Sequence, residues 1–535
     1  MSQARIQSGL CSGTRNQSCL SRQIRWKGLR WNARTRGLAF RALAAGIGVF
    51  GLGAVAIAPV SVAAPIASSE PAPSLPDFTG SIFKATPVNS ATRAPQNPFM
   101  ASDPKSNIHN DTWMTGTYHW PGPLGKNLVA SSGGAANGIC STIAFDRRGR
   151  IVTVCVSTIA PPQARIVDPD TLEVLATYEL PDAPKVGTSP DYQNFSAGGY
   201  FYLDNQDRLV IPTRTNHIFI LGQTADGSAF ELVRDHDLTS RVDPASQRMN
   251  SALPDFEGDL WFVVKQTGGV GTVDRHTGKI RLLQLNEEIQ NSFTVDRNAV
   301  YVVTNKRLYR LGKASNGKPF IVWKARYRND GVAKPGQADA GSGTTPDILK
   351  GGYVAMVDNA DPENVVVYRT AKKLKGKKRK VCEVPVFSKG ASATENSLIT
   401  TGRSMIVENN YGYSALFPPE GAAVVTEPGF ARVDIRKDGK GCKKVWTNNT
   451  ARAPSVVPKM SARTGLIYAY TRPPDSSGSQ SYYWTAINFR NGKTVWNKYA
   501  GSGFFFNNNY AGLGLGPDGT AYLGVVGGIA SLKDS

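Results

Sequence analysis

From residue 107 to the C-terminus, apolar positions come in short runs of Val, Ile, Tyr and Phe, each bounded by Gly, Asn or Asp. Apolar positions at helical spacing are scarce, so this region is predicted to be almost entirely β. The runs recur in a fixed order. Residues 251–285 show it compactly as SALPDFEG, DLWFVV, GVGTVDRHTG and KIRLLQL. A first strand opens on small polar residues, a Gly or Asp turn leads into a β-rich second strand, and a third and fourth strand form a hairpin. Residues 292–327 repeat the order, and further units begin at CSTIAF, GGYFYL, TTPDIL, TENSLI, SVVPKM and YAGLGL.

Unit starts fall 40 to 60 residues apart, the period of a four-stranded propeller blade. The count is eight, or seven if the irregular stretch 342–448 is divided differently. The last unit has three strands before the chain stops at Ser535. A strand from the N-terminal side would close it, since propellers avoid an open sheet edge. The segment TGTYHWPGPLG at 115–125 precedes the first unit and is the expected closing strand. The propeller is thus assigned to 107–535, and the Pro, Ala and Ser-rich stretch 64–106 to a linker or arm.

Residues 1–63 follow other rules. They hold nine basic residues and no acidic one, then the apolar run ALAAGIGVFGLGAVAIAPV at 42–60 and a small-residue site at SVA|AP. This is the pattern of a signal peptide, or of a signal anchor if uncleaved, and either predicts a secreted or cell-envelope protein. Contact with a membrane is expected only through an uncleaved leader. Removing the nine charges takes the formal net charge from +21 to +12, which favours anionic surfaces. The cluster KKLKGKKRK at 372–380 reads as a solvated hairpin tip, with an anionic cell-envelope polymer as the partner it would suit. Export argues against nucleic acid. Four cysteines follow the leader, and the local pairs Cys140–Cys155 and Cys382–Cys442 are expected as disulfides in an oxidising compartment.

The endings NGKPFIVW, DGKGCKKVW and NFRNGKTVW place Trp323, Trp446 and Trp496 alike at the close of three units. These resemble the tryptophan-docking repeat of the quinoprotein-like (PQQ-like) propeller superfamily. The resemblance implies the propeller fold over about 135–533, commonly with eight blades. Its quinone-dependent members carry calcium and a quinone, and many alcohol-oxidising ones have a disulfide between adjacent cysteines. No adjacent cysteines occur here. No cofactor ligand matches residue by residue, so none is carried over and PQQ is not expected. Other members are scaffolds without cofactor, and the fold alone does not decide between these roles.

Candidate chemistry lies where first strands begin and second strands end. TTPDIL contributes Asp347, TENSLI contributes Glu395 and Asn396, and FNNNYAG contributes Asn508. DNADPEN adds Asp358, Asn359 and Asp361, and ENNYGY adds Glu408, Asn409, Asn410 and Tyr411. Such carboxylates and amides would suit a polyol, or calcium through Asp358, Asp361, Glu395 and Glu408. The same composition also arises in Asx turns that only satisfy backbone groups. A third stretch, NIHNDTWMTGTYHW, reads as an anchor for the N-terminus, or as the source of a general base through His109 and Asp111. No nucleophile elbow, phosphate loop or zinc-binding helix is present. The expected function is ligand or partner binding at one propeller face. The alternative is an enzyme on that face, either a calcium-dependent hydrolase or lactonase or a quinone-dependent oxidoreductase.

Overall fold

The computed structural model describes residues 63–535, apart from 69, 71, 103–104, 135–137, 158–159, 185, 187–197 and 414–425. The leader, except Ala63, lies outside the described residues. The chain is all-β, and its sheets form an eight-bladed propeller. The third blade shows the plan, with Met249–Pro254, Leu260–Val264, Gly269–Val273 and Ile280–Gln284 pairing antiparallel from the channel outward. In the first blade the channel position is shared by Ile139–Cys140 and Ala144–Phe145, both paired with Ile151–Val156.

Burial follows position in the blade. The second strands of the third to sixth blades are buried at every residue, because neighbouring blades cover both faces. The fourth strands of the second to sixth blades are mostly exposed or half-buried, because blades splay apart towards the rim. In six of the eight blades the hairpin of third and fourth strands carries a register shift. In three of these the outer-strand residue that is skipped is a valine followed by tryptophan: Val322-Trp323, Val445-Trp446 and Val495-Trp496. A bulge re-aims the side chain that follows it. Trp323 Nε1 donates to the carbonyl of Thr370 in the next blade at 3.3 Å, and Trp446 Nε1 donates to that of Phe489 at 2.9 Å. A Cβ on Gly492, which has φ +73°, would come within 2.5 Å of the Trp446 ring. The Asn491-Gly492 turn is therefore the seat on which the preceding blade's indole rests.

Closure is by an N-terminal strand, but not the expected one. Val129–Gly133 pairs with Gly528–Lys533 and completes the last blade. The 115–125 segment does something else: Thr117–Tyr118 pairs in parallel with Met460 and Ser461 on the channel side of the seventh blade. Both Thr117 and Tyr118 are buried, as an outer strand's residues would not be. Phe78–Gly80 adds a strand to the opposite, outer edge of the same blade.

The stretch between these two strands is a strap. Asn97 donates to the carbonyl of Pro254 in the third blade, and Ala101 N–H donates to that of Leu203 in the second. The carbonyl of Lys105 accepts from the first blade, Thr112 from the fourth, Trp113 from the fifth, Thr115 from the sixth and Gly116 from the seventh. The Trp120 indole reaches the eighth through the carbonyl of Leu515. Both expected disulfides are present. Cys140 and Cys155 face each other across one strand pair, whereas Cys382–Cys442 joins the outer strands of the fifth and sixth blades.

Candidate functional site

At the channel end where first strands begin, a cavity of about 40 Å³ is lined by Tyr200, Asn250, Lys265, Asn291, Glu395, Asn396 and Ser397, with His109 from the strap and Tyr510 from the last blade. That volume admits about three waters. His109 is delivered by a tight turn in which Asn107 Oδ1 accepts its N–H at 2.7 Å and Asn110 adopts φ +67°. Its Nε2 lies 3.4 Å from Ser397 Oγ. Burial, and then the charge of Lys459, hold its pKa well below the ordinary value, so the imidazole is neutral.

The sequence-chosen residues fall into three groups. Glu395 and Asn396 line the cavity. Asp347, Glu408, Asn410 and Asn508 are buried within the channel. Glu408 Oε1 accepts from the side-chain amides of Asn396 and Asn410 (3.0 Å for the second), and Asn410 Oδ1 accepts from Glu395 N–H at 3.0 Å. One network thus ties the ends of the first and second strands of the sixth blade together. Asp358, Asn359, Asp361, Asn409 and Tyr411 serve the loops instead. Asp358 holds Asn364, Asn359 donates to Asn329, Asp361 accepts from Gly390 N–H and Asn409 clasps the 391–393 backbone, while Tyr411 N–H donates to Asn409 Oδ1.

Asp111 does not support His109. Its oxygens accept from Trp113 N–H, Thr115 N–H and Thr115 Oγ1, closing a turn of the strap. Burial raises its pKa to about 6. Among the described residues no three His, Cys, Asp or Glu side chains are placed to hold a metal, and Asp358, Asp361, Glu395 and Glu408 do not gather at one point. In the channel a cationic side chain stands among the acids: Lys459 is fully buried, its Nζ has no hydrogen-bond partner, and it feels Asp347, Glu408 and Asp111. Burial lowers its pKa to about 7 against the pull of those carboxylates. A calcium held by these oxygens does not fit beside that ammonium.

Burial also raises the carboxylates around the cavity. Glu395 is pushed well above the usual range by burial and then by Asp339, which is itself raised to about 7. Glu408 and Glu363 are each raised to about 8 by burial. The wall therefore presents Glu395 in its neutral form, amides, hydroxyls, two tyrosines and the amine of Lys265, able both to donate and to accept hydrogen bonds. Sequence reasoning missed Tyr200, Asn250, Asn291, Lys265 and Lys459. The signal was positional, since each stands at the start of a first strand or just after a second one.

No family model matches the chain. It is 28% identical over 371 residues to a protein of Archaeoglobus fulgidus described as an uncharacterized protein, an alignment covering 63% of this chain and 70% of that one. Among solved structures it is similar to virginiamycin B lyase from Staphylococcus aureus, at 10% identity and TM-score 0.37 over 65% of this chain and 98% of that one. It is also similar to the WD40 domain of SCAP from fission yeast, at 12% identity and TM-score 0.41 over 74% and 95%.

Proposed function

We propose that the protein is an exported propeller that binds the hydroxylated end of a small uncharged ligand at the channel mouth. The convergence of Tyr200, Asn250, Asn291, Glu395, Asn396 and Ser397 on one cavity carries this reading. Glu395 held neutral among amides and hydroxyls suits ligand hydroxyls, which need donors and acceptors together, and Lys265 adds a further donor. The cavity's volume admits a terminal group rather than a whole sugar ring. Export is supported by the leader pattern and by the two disulfides.

The test is saturation-transfer NMR with glycerol and a panel of neutral monosaccharides on the full chain. Binding by at least one of them is expected, weakened about tenfold, the worth of one good hydrogen bond, in Glu395→Gln or Tyr200→Phe. Absence of binding across the panel removes the reading. Export is checked separately by the mass of the protein recovered outside the producing cell.

A further inference from the structure

The opposite face of the propeller carries a second, chemically unlike surface. In an antiparallel blade the turn joining the first and second strands and the turn joining the third and fourth lie at the same end, away from the cavity. In the fifth, sixth and seventh blades these turns are almost purely basic. The outer turns read KKLKGKKRK at 372–380, RKDGK at 436–440 and RNGK at 490–493, and the inner ones contribute Lys350, Arg403 and Arg463. The strap adds Lys84 and Arg93. Asp438 is the one acid in these turns, and it pairs with Arg436.

These turns touch one another. The Arg403 guanidinium donates to the carbonyls of Arg436 at 3.2 Å and Lys437 at 2.9 Å. Arg369 of the fifth blade donates to the carbonyl of Gly439 in the sixth at 2.7 Å. Lys350 N–H donates to Gly402, and Trp446 rests on Gly492 of the seventh blade. Lys380 is paired with Glu383 and Arg379 lies over Trp323, but the lysines between 372 and 378 are exposed and form no ion pair among the described residues. The result is a continuous band of cations across three blades.

We infer that this turn face docks a linear polyanion. Lysine dominates the exposed outer tips, and a flexible ammonium is a point charge that recognises charge density rather than the shape of one group. A chain of closely spaced anions engages many such groups together and releases its counterions. A membrane surface fits less well, because none of the exposed large hydrophobic side chains lies in these turns to enter a bilayer.

The experiment uses the full chain with inorganic polyphosphate as the probe, and vesicles containing phosphatidylglycerol as the other arm. Polyphosphate binding is expected at low ionic strength, falling steeply with added salt. Replacing Lys373, Lys375, Lys377 and Lys378 by serine should weaken it by about tenfold or more, and Lys437→Ser with Lys440→Ser, or Arg490→Ser with Lys493→Ser, should each weaken it several-fold. Lys279→Ser with Lys318→Ser, on equivalent turns of the third and fourth blades, should leave it unchanged. All of these side chains are exposed, so an unaltered melting temperature is expected to confirm folding. The inference is overturned if polyphosphate does not bind, if vesicles bind where it does not, if the sixth- and seventh-blade changes have no effect, or if the control pair weakens binding as much.

Discussion

In the second blade, Asp204 closes the inner turn. Its Oδ1 accepts the N–H groups of Gln206 at 2.8 Å and Arg208 at 2.9 Å, and its Oδ2 pairs with the Arg208 side chain at 2.6 Å. Asp146 does the same for Arg148 and Arg150 in the first blade, and Asp255 for Glu257 and Asp259 in the third. In the sixth blade the corresponding turn is Gly402-Arg403, with φ +62° at the glycine and no carboxylate. In the seventh it is closed by the Ser461 hydroxyl, which accepts from the N–H groups of Arg463 and Thr464. The first group of turns is made by a carboxylate whose charge is met by a nearby cation, Arg150, Arg208 or Lys313. The second makes the turn with glycine or a hydroxyl, leaving Arg463 exposed and Arg403 bonded to neighbouring carbonyls rather than to a carboxylate. Turns at equivalent places in the blades thus give a structural half and a chemically available half of one face.

The largest effect tests whether the basic half, lacking those carboxylate clasps, depends on its covalent tie. Replacing Cys382 and Cys442 by serine should cost about 2–4 kcal/mol, read as a fall in the denaturation midpoint. Asp204→Ala on the other half should cost about 1–3 kcal/mol, because two N–H groups and the buried end of Arg208 lose their acceptor. If both changes cost the same as an ordinary surface substitution, the distinction between clasped and unclasped turns is wrong. Gly492→Ala should cost about 1–2 kcal/mol from the left-handed backbone alone, and more from displacement of Trp446, while Gly278→Ala, a similar turn with open space around its Cα, should show the backbone part only.

A smaller effect contrasts exposed charge with the buried acids of the channel. Glu363 and Glu408 have folded pKa values raised to about 8 by burial, above the value of 4.5 they have when exposed. Below pH 4.5 they are protonated in both states. Between about 4.5 and 8 the unfolded chain has lost protons that the folded one keeps, so stability falls as pH rises through that window. The melting temperature should therefore decline by several degrees from pH 5 to 8, and Glu408→Gln, which keeps an oxygen for Asn396 and Asn410, should flatten the decline. The smallest effect is on the lysines of 373–378: their replacement should move stability by no more than about 0.5 kcal/mol.

The period of turns and apolar runs made the blades legible, because strand burial is local and repetitive. The valine before each docking tryptophan was also visible, as IVW, KVW and TVW, but its meaning depends on a register shift that only the paired strand reveals. The closing strand was misplaced because Thr117 and Val129 both stand in plausible β stretches, and only partner strands distant in sequence decide between them. Of the cavity lining, Glu395 and Asn396 were legible because acids and amides stand out in composition. Tyr200 and Asn250 were not, since a lone tyrosine or asparagine beside a strand carries no signal until the ring of blades brings six such positions together.

The strap also sets an order of events. It is synthesised before every blade it touches, yet its hydrogen bonds reach from the first blade to Leu515 in the last. Contacts of such long sequence separation form late, after the loop entropy between them has been overcome. His109 is therefore expected to enter the cavity only when the circle of blades is complete, since the lining comes from the strap and from blades far apart in sequence. The closed cavity is then a marker that the whole ring has assembled.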